Sequence, residues 1–168
     1  MAKGLKARAG TIEKTKLEDQ SQDLVTAFRV LHHVPDLQTA FTEVNRILKP
    51  GGVFLLEFAN SLNLKARLRS LVTGQPILLT PIEMRSIQNI KSGSIPFVNH
   101  HPETVLKALR LCAFEPLSLL SVSNLRFPLL KKIVPLPVLL GLESTCQKLF
   151  STLYFGPSIF VLTKKVNP

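Results

Sequence analysis

Two adjacent histidine pairs, His32-His33 and His100-His101, are the side chains of this 168-residue chain best suited to moving a proton. Imidazole is the one side chain whose unperturbed titration falls near neutral pH. His33 stands at the head of a loop that follows a short apolar run, which makes it the candidate general base. The competing reading is a ring that packs the loop or caps the helix after it. His32 is expected to point the other way and be buried. His100 and His101 are candidates to face a substrate, or to start a helix. Arg29, at the end of the same apolar run, is placed to hold an anionic group, with an ordinary surface arginine as the alternative. The histidine pairs lack the ligand spacing of a zinc centre, so no metal is expected. Cys112 and Cys146 lie in apolar helical patterns, where buried reduced thiols are expected rather than a disulfide. The chain contains neither GxGxxG nor GxxxxGK[ST], and Gly51-Gly52 follows a helix instead of opening one.

These side chains must be carried by regular elements. Residues 23–28, DLVTAF, form a short apolar run of the kind found in a parallel strand buried on both faces. Its carboxyl end delivers Ala27, Phe28 and Arg29 to the edge where open α/β sheets bind ligands. Over residues 36–48 the apolar positions Leu37, Ala40, Phe41, Val44, Ile47 and Leu48 repeat with helical spacing, and Asp36 is the expected N-cap. Lys49-Pro50-Gly51-Gly52 stops that helix, with the lysine near its negative end. Residues 53–58 then read as a second buried strand. Helical patterns follow at residues 63–72, weakly at 82–90, from Pro102 through Leu111 with His101 or Asn99 as cap, and at 138–152. Strands are expected at 117–123 and 158–164. Strand and helix alternate, which means an α/β layered fold.

Composition narrows the function classes. An apolar fraction of 45% and a length of 168 residues suit one packed domain. The net charge of +10 attracts polyanions, yet the cations are scattered as Lys65/Arg67/Arg69, Lys131-Lys132 and Lys164-Lys165. No aromatic platform accompanies them, so a solvated surface is expected and nucleic acid is not. The basic N-terminus lacks an apolar leader run, and the uncharged stretch 149–163 is short for a membrane span and broken by Gly156-Pro157. A soluble, cytoplasmic protein is expected. The apolar, basic segment 125–150 invites three readings: core packing, which is preferred, a cap over a hydrophobic substrate, or peripheral contact with an anionic membrane.

The order of residues 23–58, DLVTAFRVLHHVPDLQTAFTEVNRILKPGGVFLLEF, resembles the second half of a class I S-adenosylmethionine-dependent methyltransferase of the small-molecule, "type 11"-like kind. The segment Val30 to Asp36 is its most recognisable signature. GTIEKTKLEDQSQDLV is similar to the family's strand-turn-strand that precedes it, although the position of the family's adenine-binding Asp falls on Thr11 and the next on Ile12. A hydroxyl accepts hydrogen bonds more weakly than a carboxylate. The resemblance implies that S-adenosylmethionine is met by Thr11, Ile12, Ala27, Phe28 and Arg29. Arg29 is then a candidate partner for the cofactor carboxylate. It also implies methyl transfer to a small acceptor, a hydrophobic one if segment 125–150 is a substrate cap, with alignment supplying most of the catalysis and His33 as base.

The implied fold is a Rossmann-like α/β domain over residues 1–168, with a strand-helix-strand core (1–60) and a substrate-side remainder (61–168). It keeps the family's strands 4, 5, 7 and 6 in that order, the last strand antiparallel, and is expected to be truncated at the N-terminus, without the Gly-rich cofactor turn. Its first strand would then be an open edge, and a homodimer or a separately encoded first half is the expected partner. The alternative to an enzyme is a non-catalytic half-domain that acts as a binding or structural partner.

Overall fold

A computed structural model describes residues 9–125 and 132–166. Strand β1 (Gln22–Ala27) passes through a 3₁₀ turn (Leu31–His33) into helix α1 (Leu37–Ile47), and β2 (Leu48–Ala59) follows directly. Beyond it come α2 (Leu64–Thr73), β3 (Ile82–Glu83), α3 (Ile87–Lys91), β4 (Val98–Asn99), α4 (Pro102–Leu111), β5 (Phe114–Val122), α5 (Leu136–Ser151) and β6 (Ser158–Lys165). Four strands make one mixed sheet in the order β1-β2-β6-β5. β1 and β2 are parallel, and β6 runs antiparallel to both of its neighbours. This is the strand order the resemblance implies. β3 and β4 form a separate two-stranded ribbon.

Local chemistry explains the central unit. Asp36 caps α1 by accepting hydrogen bonds from the backbone of Gln38 and Thr39, and Leu37, Ala40, Phe41, Val44 and Ile47 form its buried stripe. The turn after α1 needs glycine twice. Gly51 has φ of 72°, and a Cβ on Gly52 would lie 2.9 Å from the Lys49 carbonyl oxygen and 3.3 Å from that of Asp23. Lys49 does not serve the helix end as its position predicts; its ammonium pairs with Asp23 at 2.8 Å. Lys165 takes that role from the far end of the chain, donating to the carbonyls of Asn45 and Leu48.

The core lies on one face of the sheet, under α1 and α4. There Phe41, Phe54 and Phe114 are buried, with ring centroids 5.7 Å apart for the first pair and 5.5 Å for the second. Three expectations need correction. β1 is not buried on both faces: Leu24 is 56% exposed, and Asp23 and Thr26 are exposed as well, so only the end of the strand at Ala27 enters the core; among the described residues β1 pairs only with β2. The weak pattern at residues 82–90 divides into β3 and the short α3. In α5 only Leu139 and Ser151 are buried, while Leu136, Leu140 and Leu149 stay exposed; the helix rests on β5 along a narrow line instead of entering a core. Residues 126–131 of that segment lie outside the described residues. Cys112 is buried as expected, and Cys146 is half-buried on α5.

Candidate functional site

The carboxyl ends of β1 and β2 meet at one edge of the sheet, and the chemistry-bearing residues gather there. β1 ends with Ala27 in the core. Phe28 follows with its ring 45% exposed, tilted against Phe160 of β6 at 5.5 Å. Arg29 adopts φ of 56°, a left-handed conformation that non-glycine residues seldom take. Its N–H donates to Glu57 Oε2 at 2.9 Å, while the other carboxylate oxygen of Glu57 accepts from the Ser158 hydroxyl. Glu57 thus ties the end of β1 to the start of β6 and holds Arg29 in its strained turn.

The 3₁₀ turn sets the histidines. Because the backbone curls there instead of extending, His32 and His33 do not diverge. Their ring centroids lie 4.0 Å apart, and Phe97 packs 4.8 Å from His32. His32 is half-buried rather than buried. Burial, with the neighbouring His33 second, lowers its pKa below the usual imidazole value of 6.5. His33 is exposed, and its Nδ1 lies 2.6 Å from the Pro96 carbonyl oxygen. A carbonyl can only accept, so Nδ1 carries a proton, and in the neutral form of the ring the lone pair is on Nε2.

His100 braces the turn from below. It is fully buried, its Nε2–H donates to the Leu31 carbonyl at 2.9 Å, and its Nδ1 has no partner among the described residues. Desolvation lowers its pKa. His101 is the N-cap of α4, accepting from the Glu103 N–H at Nδ1, and burial lowers its pKa too. Both rings are therefore packed inside, and neither lines the cavity beside α2. Asn60 closes the strand end: its amide nitrogen donates to the carbonyls of Tyr154 and Gly156, and its Oδ1 accepts from the Leu62 N–H.

The remaining sequence candidates lie before β1. Thr11 sits exposed in a small turn, bridged to Lys14, and Ile12 packs against the core cluster that contains Ala27. Three contributors escaped the sequence reading. Glu57 carried a signal, a lone charge in an apolar strand; Asn60 and the Pro96-Phe97 pair carried none, since their roles arise from contacts distant in sequence. Among the described residues no cluster of His, Cys, Asp or Glu is arranged to hold a metal. What the strand edge offers is an exposed aromatic ring, an exposed guanidinium, backbone at a strand end and an imidazole with one free nitrogen. An exposed ring can receive a cationic or aromatic part of a ligand, and an exposed guanidinium can receive a carboxylate.

Residues 2–56 match a family model described as "Methyltransferase domain". A 45-residue segment is 44% identical to a sterol 24-C-methyltransferase of Aspergillus fumigatus, covering 27% of this chain and 12% of that enzyme. The described fold superposes on a Methanosarcina mazei SAM-dependent methyltransferase with a TM-score of 0.56 at 18% identity, covering 96% of this chain and 67% of that one. A Mesorhizobium loti S-adenosylmethionine-dependent methyltransferase gives a TM-score of 0.55, also at 18% identity, over 92% of this chain and 67% of that one. The chain thus spans about two thirds of those solved structures, and the matched segment only a small part of the sterol enzyme.

Proposed function

From a chain that has the class I S-adenosylmethionine-dependent methyltransferase fold and carries the methyltransferase-domain signature over residues 2–56, we propose methyl transfer to a small, apolar molecule, with His33 as general base. The observation that carries this reading is the 2.6 Å contact between His33 Nδ1 and the Pro96 carbonyl oxygen, which leaves Nε2 of the neutral ring to accept a proton. Ala27, Phe28 and Arg29 would hold the methionine side of the cofactor, and Thr11 and the backbone of Ile12 its adenine side. When bound, S-adenosylmethionine supplies a methyl group on a sulfonium, an electrophile needing little activation. The protein's task is then alignment. Arg29 receives a carboxylate, Phe28 offers an apolar face, and His33 Nε2 takes the acceptor's proton as its oxygen, nitrogen or carbon becomes nucleophilic. An apolar acceptor is supported by the sterol substrate named for the Aspergillus enzyme.

A second reading follows from β1, which among the described residues pairs only with β2: a methyltransferase-like module that is non-catalytic alone and pairs with another chain. Calorimetric titration of S-adenosylmethionine into the purified chain separates the two. Micromolar binding supports the enzyme, and an acceptor screen with labelled cofactor follows. Well-folded protein that binds no cofactor favours the module.

A further inference from the structure

A cavity of about 420 Å³ lies between α2 and the strand β3, outside the histidine cluster. Its size falls in the range of small-molecule sites. Lys65 and Arg69 of α2 line it, together with Ser61 and the apolar side chains of Ile77, Ile82 and Met84. The two cations are one helical turn apart, so they share a face. Helix α2 contains no acidic residue, and among the described residues neither cation has an ion-pair partner. The acid nearest in the lining sequence, Glu83, is already taken by Arg85.

Like charges at this spacing repel and weaken a helix, and α2 buries none of its own residues to offset that. Ser61 adds an independent sign. It is 3% exposed, lines the same cavity, and its hydroxyl has no hydrogen-bond partner among the described residues. Buried hydroxyls are normally satisfied. The third cation of the cluster behaves differently: Arg67 is occupied by the carbonyls of Leu62 and Leu153 and serves structure. So the helix splits its cations between a brace and a cavity.

We infer that this cavity binds an organic anion with a short aliphatic body, its phosphate or carboxylate between Lys65 and Arg69, within reach of the Ser61 hydroxyl, and its chain against Ile77, Ile82 and Met84. The anion neutralises the paired cations, and the apolar wall distinguishes it from inorganic phosphate. This binding is separate from methyl transfer and is read without cofactor.

The test is calorimetry on the full chain with hexyl phosphate, hexanoate, inorganic phosphate and hexanol as probes. Saturable one-to-one binding is expected for hexyl phosphate or hexanoate, about tenfold or more tighter than for inorganic phosphate or hexanol. Arg69→Gln and Lys65→Gln should each weaken it by about tenfold, and Lys107→Gln, an exposed cation on α4, should leave it unchanged. Thermal melts of the variants confirm folding. Equal losses in all three variants, or equal affinity for hexanol and hexyl phosphate, would overturn the proposal. Vesicles of anionic phospholipid serve as the second arm. Binding to vesicles with none to the soluble anions would mean a lipid surface and not this cavity.

Discussion

The imidazole of His33 and the carbonyl of Pro96, 63 residues apart in sequence, meet at 2.6 Å, and this one bond decides which nitrogen of the ring can work. Nδ1 donates, so in the neutral ring Nε2 holds the lone pair, and Phe97 packs edge-on with its centroid 6.0 Å from that of His33. Replacing His33 with Asn removes the base while keeping a polar side chain of modest size. Methyl transfer is expected to fall on the order of a hundredfold to ten-thousandfold, with S-adenosylmethionine affinity unchanged in calorimetry. Equal losses in cofactor binding and turnover would assign His33 to packing the loop.

His100 makes stability depend on pH. Burial lowers its folded-state pKa below the ordinary 6.5, so the unfolded chain binds protons more readily than the folded one. The stabilisation is complete above about pH 6.5 and is lost as the pH falls from there toward the lowered folded value. His101 and His32 shift in the same direction. Glu43, held down to about 2 by Arg46 and Thr15, acts in a lower window, from its ordinary 4.5 downward. The melting temperature should therefore drop between pH 7.5 and 5, and His100→Asn should flatten that slope. A slope unchanged in the variant would place the titration elsewhere.

Which of these features could be read from sequence follows a physical divide. The β1-to-β2 unit was legible because its signals are local: Asp36 caps, the stripe from Leu37 to Ile47 repeats, and Pro50-Gly51-Gly52 stops the helix. The sheet order came from resemblance and was met. Contacts between distant residues were not legible. Nothing in the sequence marks Lys165 as the residue that satisfies the end of α1, or Pro96 as the partner of His33. The curl at Leu31–His33 defeated the expectation that the two rings part, since extended and 3₁₀ backbones send neighbouring side chains in different directions. The exposed leucines of α5 show the converse limit: apolar helical spacing records what a helix can bury, not what the fold gives it to bury.

Gly156 sits where the chain turns into β6, and the lack of a side chain is what lets it close on β5. A Cβ there would lie 2.5 Å from the Val122 carbonyl oxygen and 2.7 Å from Ser121 Oγ. The glycine N–H also donates to that Ser121 hydroxyl at 2.7 Å. Backbone crowding of this kind cannot be relieved by a rotamer change. Gly156→Ala is expected to cost about 2 kcal/mol of stability, seen as a lower urea midpoint at an unchanged slope. A midpoint equal to that of the parent chain would mean the turn relaxes freely.

The outer edge of β1 carries the remaining prediction. Its backbone pairs with β2 alone among the described residues, and Leu24 projects from it 56% exposed. An unpaired strand with an apolar side chain is a template for another strand, and natural edges are protected by charge. Leu24→Lys places a charge there without removing a core contact. If the edge pairs with a second copy, light scattering should show the parent chain shifting toward dimer with concentration and the variant staying monomeric. Stability should change by no more than about 0.5 kcal/mol, as for an exposed substitution. A dimer that persists in the variant would move the contact away from β1, and the exposed leucines of α5 would be the next surface to charge.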